Sequence, residues 1–311
     1  VLVGGDSVLP FYRTPDETVI ANEADYAQEL GAGAGKLNPA RPLYNSLFYR
    51  YVLTDNFYGD RQPTAWRGRA LFVPDLGVGR LVESPPDINR YLQGYISTGS
   101  YTIRGDLASA APAHYGGALV TGYDFLLDQA QAIGGQFVQY GYRPGATVAT
   151  TYTLNTALAN NSWNADAMAG ELFSGQLPQL GSSYSGPHTN YQLVSLNGHF
   201  THYQAIPADT SAGLLRAERI LTPTAATPAQ GFFRDWNANY GDSPSLTYSV
   251  GCHSGLSVID GETLGSATPS PYAADFANAY LRQGGNWIGN TGYGYGDSDL
   301  VAYSEKLAVL F

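Results

Sequence analysis

Short apolar runs that alternate with helical stretches most constrain how this chain can fold. Strands buried on both faces appear as continuous apolar runs, so the pattern predicts a parallel sheet covered by helices. The predicted strands span residues 1–3, 71–73, 118–121, 192–196, 246–250 and 287–288. The predicted helices span 86–96, 125–133, 164–173 and 271–283. The expected fold class is therefore α/β, with a mostly parallel sheet flanked by helices.

The stretch 106–117, with Ala-Ser-Ala-Ala-Pro-Ala in its middle, is typical of a connection between two folded units. It predicts two subdomains, residues 1–110 and 111–311. Residues 140–190 are rich in Gly, Ser, Thr, Asn and Tyr, and apart from the predicted helix 164–173 we expect surface loops there.

The opening Val-Leu-Val-Gly-Gly-Asp is typical of the second half of a strand and its turn, so we expect the native polypeptide to start earlier. A signal peptide that has been removed or omitted would be consistent with this start. A secreted or cell-surface location is favoured over a cytoplasmic one.

Composition argues against several classes of protein. The formal net charge of −10, with only 16 Lys and Arg in 311 residues, leaves no basic stripe for nucleic acid. No run approaches the roughly 18 apolar residues that span a bilayer, so no membrane span is expected. The single cysteine excludes an internal disulfide framework and a zinc site built on several thiolates.

Two apolar runs end in reactive side chains: residues 191–199 end in His199, and residues 246–252 end in Cys252. Functional groups of an open parallel sheet lie at the carboxyl ends of its strands. If the two strands are neighbours, the imidazole can approach the thiol and favour the thiolate. The pattern predicts a dyad with Cys252 as nucleophile and His199 as general base. A cysteine that only fills the core and a structural histidine remain alternatives.

These residues resemble the gingipain-like cysteine peptidases, relatives of caspases, legumain, clostripain and separase. In that family one strand ends in Gly-His and a second ends in a small residue and Cys; here the matches are Gly198-His199 and Gly251-Cys252. Residues 2–10, 54–60, 74–83 and 288–292 also resemble family segments. The resemblance implies a caspase-like fold and a cysteine endopeptidase that requires no cofactor.

The family usually has glycine after the histidine, and its backbone N–H helps to bind the oxyanion. Phe200 stands there in this chain. The resemblance implies that the oxyanion would be bound by the backbone amides of Phe200 and Cys252, provided that the local backbone needs no positive φ, which Phe would resist.

Asp124 follows the strand 118–121 and precedes a helix. In the family this loop supplies a pocket residue for the substrate side chain before the cut, and an aspartate resembles the Arg-cutting members. The resemblance thus implies a protein or peptide substrate with Arg, or Lys, at that position. A carboxylate that only stabilises a helix N-terminus is the alternative. The rival pocket acids are Asp297 and Asp299, and Thr291, Tyr293 and Tyr295 are expected to line the pocket.

The other histidines are expected to have other roles. His253 follows Cys252 in a strand-like run, so its side chain should point to the opposite face and be packed or hydrogen-bonded. His202 with His199 would suggest zinc, but no carboxylate has a fitting spacing, and no metal is expected in the catalytic site. His114 and His188 are expected at the surface.

Asp55, Asn56 and Asp60 offer hard oxygen ligands for a structural calcium ion. Their spacing fits no complete EF-hand loop, and a solvated turn is the favoured interpretation.

The expected function is a cysteine endopeptidase that cleaves after Arg or Lys. One alternative is a caspase-like scaffold without catalysis that serves as a binding or assembly module, for which Phe200 is the main argument. A zinc hydrolase is a third class, and it would lose its activity to chelators.

Overall fold

The structure of the protein is a computed structural model that describes residues 1–30, 37–82, 84–98, 117–144, 153–173, 191–221, 245–259, 275–282 and 285–310. The subdomain boundary near residue 110 lies outside the described residues. His114 and His188 also lie outside them.

The described strands are β1 (Leu2–Val3), β2 (Tyr12–Pro15), β3 (Tyr51–Thr54), β4 (Thr64–Trp66), β5 (Arg69–Leu71), β6 (Arg80–Leu81), β7 (Gly117–Val120), β8 (Arg143–Pro144), β9 (Thr153–Asn155), β10 (Tyr191–Ser195), β11 (His199–Phe200), β12 (Gln204–Ile206), β13 (Leu215–Arg216), β14 (Leu246–Ser249) and β15 (Asn286–Gly289). The described helices are α1 (Glu23–Leu30), α2 (Pro42–Phe48), α3 (Asn56–Gly59), α4 (Pro85–Thr98), α5 (Leu127–Gln139), α6 (Ala165–Phe173), α7 (Ala217–Leu221), α8 (Phe276–Arg282) and α9 (Tyr303–Leu310).

A six-stranded sheet with the order β15-β14-β10-β7-β9-β8 forms the centre of the fold, and all of its strand pairs are parallel. All four residues of β7 and all four of β14 are buried, including Thr247 and Ser249 of β14, as in strands of a parallel sheet that is covered on both faces. The predicted α/β class with a parallel sheet is confirmed.

Both faces of the sheet are covered by helices. Successive residues of a strand point to opposite faces, and β7 divides its side chains between two cores. Leu119 packs in one core with Phe276 of α8. Ala118 packs in the other with Ile133 of α5 and Ala308 of α9.

A third core, here called the N-terminal core, joins the first part of the chain to loops at the end of the sheet. Tyr26 of α1 and Leu53 of β3 are fully buried in it together with Tyr203 and Leu256. Tyr203 follows β11, and Leu256 follows β14. Helix α1 and strand β3 thus pack against the loops that follow the two strands with reactive ends.

Some elements differ from the prediction. Residues 1–3 contribute β1, which pairs with β6 in a separate two-stranded sheet, and residue 71 ends the antiparallel hairpin β4–β5. The segment 140–190, predicted as loops, contributes β8 and β9 to the central sheet. Both strands are short, with the sequences Arg-Pro and Thr-Leu-Asn, so they have no apolar run by which the sequence could reveal them.

None of the described helices has both the length and the apolar character that a crossing of the bilayer requires.

Candidate active site

The carboxyl ends of β7, β10 and β14 meet at one edge of the central sheet, because these strands are parallel neighbours. Asp124 follows β7, His199 follows β10 and Cys252 follows β14. The structure therefore brings the three sequence-predicted residues to the edge where open parallel sheets place their functional groups.

Cys252 lies in the turn after β14, here called the nucleophile turn (residues 250–255). Its side chain is half-buried, and its thiol donates to the carbonyl oxygen of Gly294 at 3.6 Å. Burial raises the pKa of the Cys252 thiol. The uncharged thiol therefore predominates at neutral pH, and nucleophilic chemistry at this position requires a base.

The loop after β15 supports the nucleophile turn through the backbone. The amide of His253 donates to the carbonyl of Gly292 at 2.7 Å, and that of Gly255 donates to the carbonyl of Asn290 at 2.8 Å. The side chain of Asn290 donates to the carbonyl of Val250, also at 2.7 Å. These hydrogen bonds fix the turn against the end of β15.

His199 begins β11 and is exposed. Its ring contacts two aromatic rings of the loop after β7, with centroids 5.2 Å from Tyr123 and 5.5 Å from Phe125. Within the described residues no hydrogen bond joins this ring to the Cys252 thiol, which bonds to Gly294 instead. Catalytic hydrogen bonds often tighten only when substrate binds.

Phe200 connects the two predicted catalytic segments. Its ring packs on Gly251, where an ideal Cβ would lie 2.2 Å from Cδ2 of Phe200, and its centroid lies 5.2 Å from that of Phe276. The large side chain after His199 is therefore accommodated by the glycine before Cys252. Phe200 lies in an extended strand, so the positive φ that would disfavour it is not required. Its role in oxyanion binding remains a prediction.

This contact predicts the effect of Gly251→Ala. The added methyl group must displace the Phe200 ring, so we expect unfolding free energy to fall by about 1 to 3 kcal/mol. Gly135→Ala is the control, because Gly135 is exposed in α5 and an added Cβ there meets no described neighbour. That change should stabilise the protein by roughly 0.5 to 1 kcal/mol. Denaturant titration measures both, and equal shifts in the two variants would contradict the packing described here.

Asp124 is exposed and has a φ of 27°, an uncommon backbone conformation for a residue other than glycine. Its amide donates to Oδ1 of Asn161 at 2.9 Å. Among the described residues its carboxylate has no hydrogen bond or ion pair, and Asp124 lies in the first turn of a short helical segment. In the chain, Asp124 stands between Tyr123 and Phe125, whose rings contact His199.

The rival pocket acids have different surroundings. The Asp297 carboxylate accepts the amides of Asp299 at 2.9 Å and Leu300 at 3.2 Å, so it closes a turn. Asp299 is exposed nearby. Of the three acids, Asp124 is the one whose chain neighbours contact the His199 ring.

The residues predicted to line the pocket divide into two groups. Thr291 donates its hydroxyl to the carbonyl of Leu53, and Tyr293 packs with its ring centroid 4.6 Å from that of His253. Both thus face the N-terminal core. Tyr295 is exposed and follows Gly294, the acceptor of the Cys252 thiol, so it lies at the rim of the candidate site.

His202 belongs to the N-terminal core. It is buried, its Nδ1 lies 2.7 Å from Oη of Tyr26, and its amide donates to the same oxygen at 3.0 Å. His202 therefore supports the packing of α1 against the loop after β11. Among the described residues, no group of three or more His, Cys, Asp or Glu side chains is placed to hold a metal ion.

The residues considered for calcium make contacts within the protein. Asp55 forms an ion pair with Arg80 at 2.5 Å. The Asp60 carboxylate accepts the amides of Gln62 and Val73, both at 2.7 Å. Asp55 thus belongs to an ion pair, and Asp60 stabilises turns through backbone amides.

Sequence reasoning missed Glu23, the first residue of α1. Glu23 is buried, and its Oε2 lies 2.9 Å from Nε2 of His253, the neighbour of Cys252. His253 is therefore packed and hydrogen-bonded, as predicted, although it lies in a turn with a φ of 55° and not in a strand. The 230 positions between the two residues leave no local signal of the contact.

Comparison with known proteins gave no match: no family model, no curated protein and no solved structure matches this chain.

Proposed function

We propose that this protein is a cysteine endopeptidase with a caspase-like arrangement, in which Cys252 is the nucleophile and His199 the general base. The proposal is supported chiefly by the placement of both residues at the carboxyl edge of one parallel sheet, where the Phe200 ring packs on Gly251. Further support comes from the exposure of His199 and the partial exposure of the thiol, which leave both accessible to a substrate.

The proposed reaction begins with transfer of the thiol proton from Cys252 to His199. The thiolate attacks the scissile carbonyl, and the negative charge that develops on its oxygen is stabilised by the backbone amides of Phe200 and Cys252. His199 then gives its proton to the leaving amine, which leaves a thioester on Cys252. A water molecule, deprotonated by His199, hydrolyses the thioester and restores the free thiol.

Base assistance is needed because burial raises the pKa of the Cys252 thiol. A thiolate formed only by ionisation in water would be scarce at neutral pH. The proton acceptor must also be close enough to act in the substrate complex. Of the three described histidines, His199 is the exposed one, and it is proposed as this acceptor because His202 and His253 are buried.

Substrate selection is proposed to depend on Asp124. Asp124 is exposed and lies on the same loop as the two rings that contact His199, and its carboxylate has no hydrogen bond or ion pair among the described residues. A guanidinium can form two parallel hydrogen bonds with a carboxylate, whereas an ammonium acts as a point charge, so Arg should be preferred to Lys before the scissile bond.

Asp124→Asn tests this assignment. Loss of one charge-assisted contact is expected to lower kcat/KM for Arg-containing peptides roughly 10- to 100-fold. Alkylation of Cys252 by a small thiol reagent should keep its rate, because such a reagent does not use the pocket. Asp299→Asn is the matched control at another exposed acid of the same edge. An intact Arg preference in Asp124→Asn, or a preference of the parent protein for Asp, would contradict the acidic pocket.

A binding or assembly module without catalysis is the second candidate. The observation that favours it is the hydrogen bond of the Cys252 thiol to Gly294 in place of His199. A thiol-reactive peptide probe separates the two functions. The peptidase labels at Cys252, and labelling falls when His199 is replaced by alanine; a module without catalysis labels equally slowly with and without His199.

A further inference from the structure

A buried contact joins the first helix to the nucleophile turn. Glu23 and His253 are 1% and 0% exposed, and their side chains meet with Oε2 2.9 Å from Nε2. The ring of Tyr26, one turn further along α1, stacks on the His253 ring with centroids 3.5 Å apart and an interplanar angle of 5°. The His253 side chain is thus enclosed by α1.

The proton on His253 can be assigned from its surroundings. Nδ1 is buried without a hydrogen-bond partner among the described residues. In a charged imidazolium both ring nitrogens are donors, and a buried Nδ1–H would then be unsatisfied. The arrangement therefore favours a neutral ring whose Nε2–H donates to a Glu23 carboxylate.

The backbone of His253 shows what this contact constrains. Its φ of 55° lies in the left-handed region, which is uncommon for residues other than glycine although histidine tolerates it better than most. Its amide also donates to the carbonyl of Gly292 at 2.7 Å. With the side chain held by Glu23 and the amide held by Gly292, the direction of the chain at the preceding residue, Cys252, is fixed.

We propose that Glu23 is a positioning residue for the nucleophile: through its hydrogen bond with His253 it holds the left-handed turn that presents the Cys252 thiol. The inference rests on the proposed function, because it takes Cys252 as the nucleophile. Glu23 touches neither the substrate nor the reacting atoms. It acts by keeping the thiol where His199 and the scissile carbonyl can reach it, and it makes α1 a part of the active site.

The charge of Glu23 provides a second test of the proposal, through its effect on the pKa of the Cys252 thiol. Burial is the main cause of the raised pKa of the Cys252 thiol, and the negative charge of Glu23 raises it further. Other titratable groups near the turn are the His253 ring, the Tyr26, Tyr293 and Tyr295 phenols, and the His199 ring across the site. The Asp16 carboxylate also lies near Glu23, whose amide it accepts at 2.8 Å. Removal of the Glu23 charge alone should therefore move the pH midpoint of thiol alkylation downward.

Peptide turnover tests the positioning role. Glu23→Ala leaves the Nε2–H of His253 without its acceptor, and kcat is expected to fall on the order of 100-fold with little change in KM, as for a misplaced reacting group. Glu23→Gln keeps a side-chain oxygen that can accept the hydrogen bond from the Nε2–H of His253, so this variant should retain most of the turnover. The double variant Glu23→Ala/His253→Ala should lose no more than the worse single variant, because the two residues act as a unit.

His253→Asn distinguishes the side-chain contact with Glu23 from the preference of residue 253 for the left-handed backbone conformation. Asparagine tolerates the left-handed conformation, but its side chain is too short to reach Glu23. We expect it to fold and to lose turnover as Glu23→Ala does. Glu29→Gln, at an exposed acid of the same helix, is the control and should behave as the parent protein.

Alkylation with iodoacetamide tests the proposal even if the parent protein cleaves no peptide, an outcome that would refute the proposed function alone. Because Cys252 is the single cysteine, the rate and its pH midpoint report on this thiol only. A lower midpoint in Glu23→Gln, with the melting temperature unchanged, supports the inference. Full turnover in His253→Asn, or an alkylation midpoint that Glu23→Gln leaves unchanged, overturns it.

Discussion

Replacing Cys252 by alanine is expected to abolish peptide cleavage and to leave the stability of the fold nearly unchanged. The thiol is half-buried, and its hydrogen bond goes to the carbonyl of Gly294 over a distance of 3.6 Å. Removal of one such group costs at most on the order of 1 kcal/mol. The proposed chemistry, in contrast, has no second nucleophile, because the chain contains no other cysteine.

The comparison requires turnover of a peptide with Arg before the scissile bond and an unfolding curve for each protein. Cys252→Ser provides a near-isosteric partner, since a hydroxyl keeps the shape of the turn but is a far weaker nucleophile without strong activation. It should be as inactive as the alanine variant. Cleavage by the alanine variant would show that the nucleophile has been assigned to the wrong residue.

His199→Ala is expected to lower kcat/KM roughly 100- to 10,000-fold, or more where the base also activates the nucleophile. The melting temperature should change little, because His199 is exposed and its described contacts are with the Tyr123 and Phe125 rings. Loss of activity without loss of stability is the combination that distinguishes a base from a structural histidine.

His202→Ala is the informative control for this experiment. His202 is buried against Tyr26, so its removal should lower the melting temperature and leave the folded fraction active. If activity falls with His202 and not with His199, or if it depends on added zinc, the assignment of the base is wrong.

The strands of the central sheet were predictable where they are buried on both faces. β7, β10 and β14 appear in the sequence as short runs of mainly apolar, aromatic or β-branched residues, and the residues after them mark the edge at which His199 and Cys252 lie. β8 and β9 were not predictable, because they are only two and three residues long and contain no apolar run. The sequence also could not show that β1 pairs with β6 outside the central sheet, since an apolar run does not specify its partner.

The candidate site was also predictable only in part, because sequence patterns do not show which distant residues meet. The strand ends indicate which residues lie at the edge, but not how each side chain is held there. The contact between Glu23 and His253 spans 230 positions and depends on how α1 packs. Asp297 likewise looks like a pocket acid in the sequence, although its carboxylate closes a turn.

The N-terminal core has a consequence for the way in which heat would inactivate this protein. The central sheet is covered by its own two cores, whereas the nucleophile turn is held by a separate core that includes Tyr26, Leu53 and Leu256. Regions of one protein open with different free energies, and a peripheral unit can open while the rest stays folded. Opening of the N-terminal core alone would release Glu23 from His253, and the Cys252 thiol would then lose its fixed position. The site would then be lost at a lower temperature than the sheet that carries it.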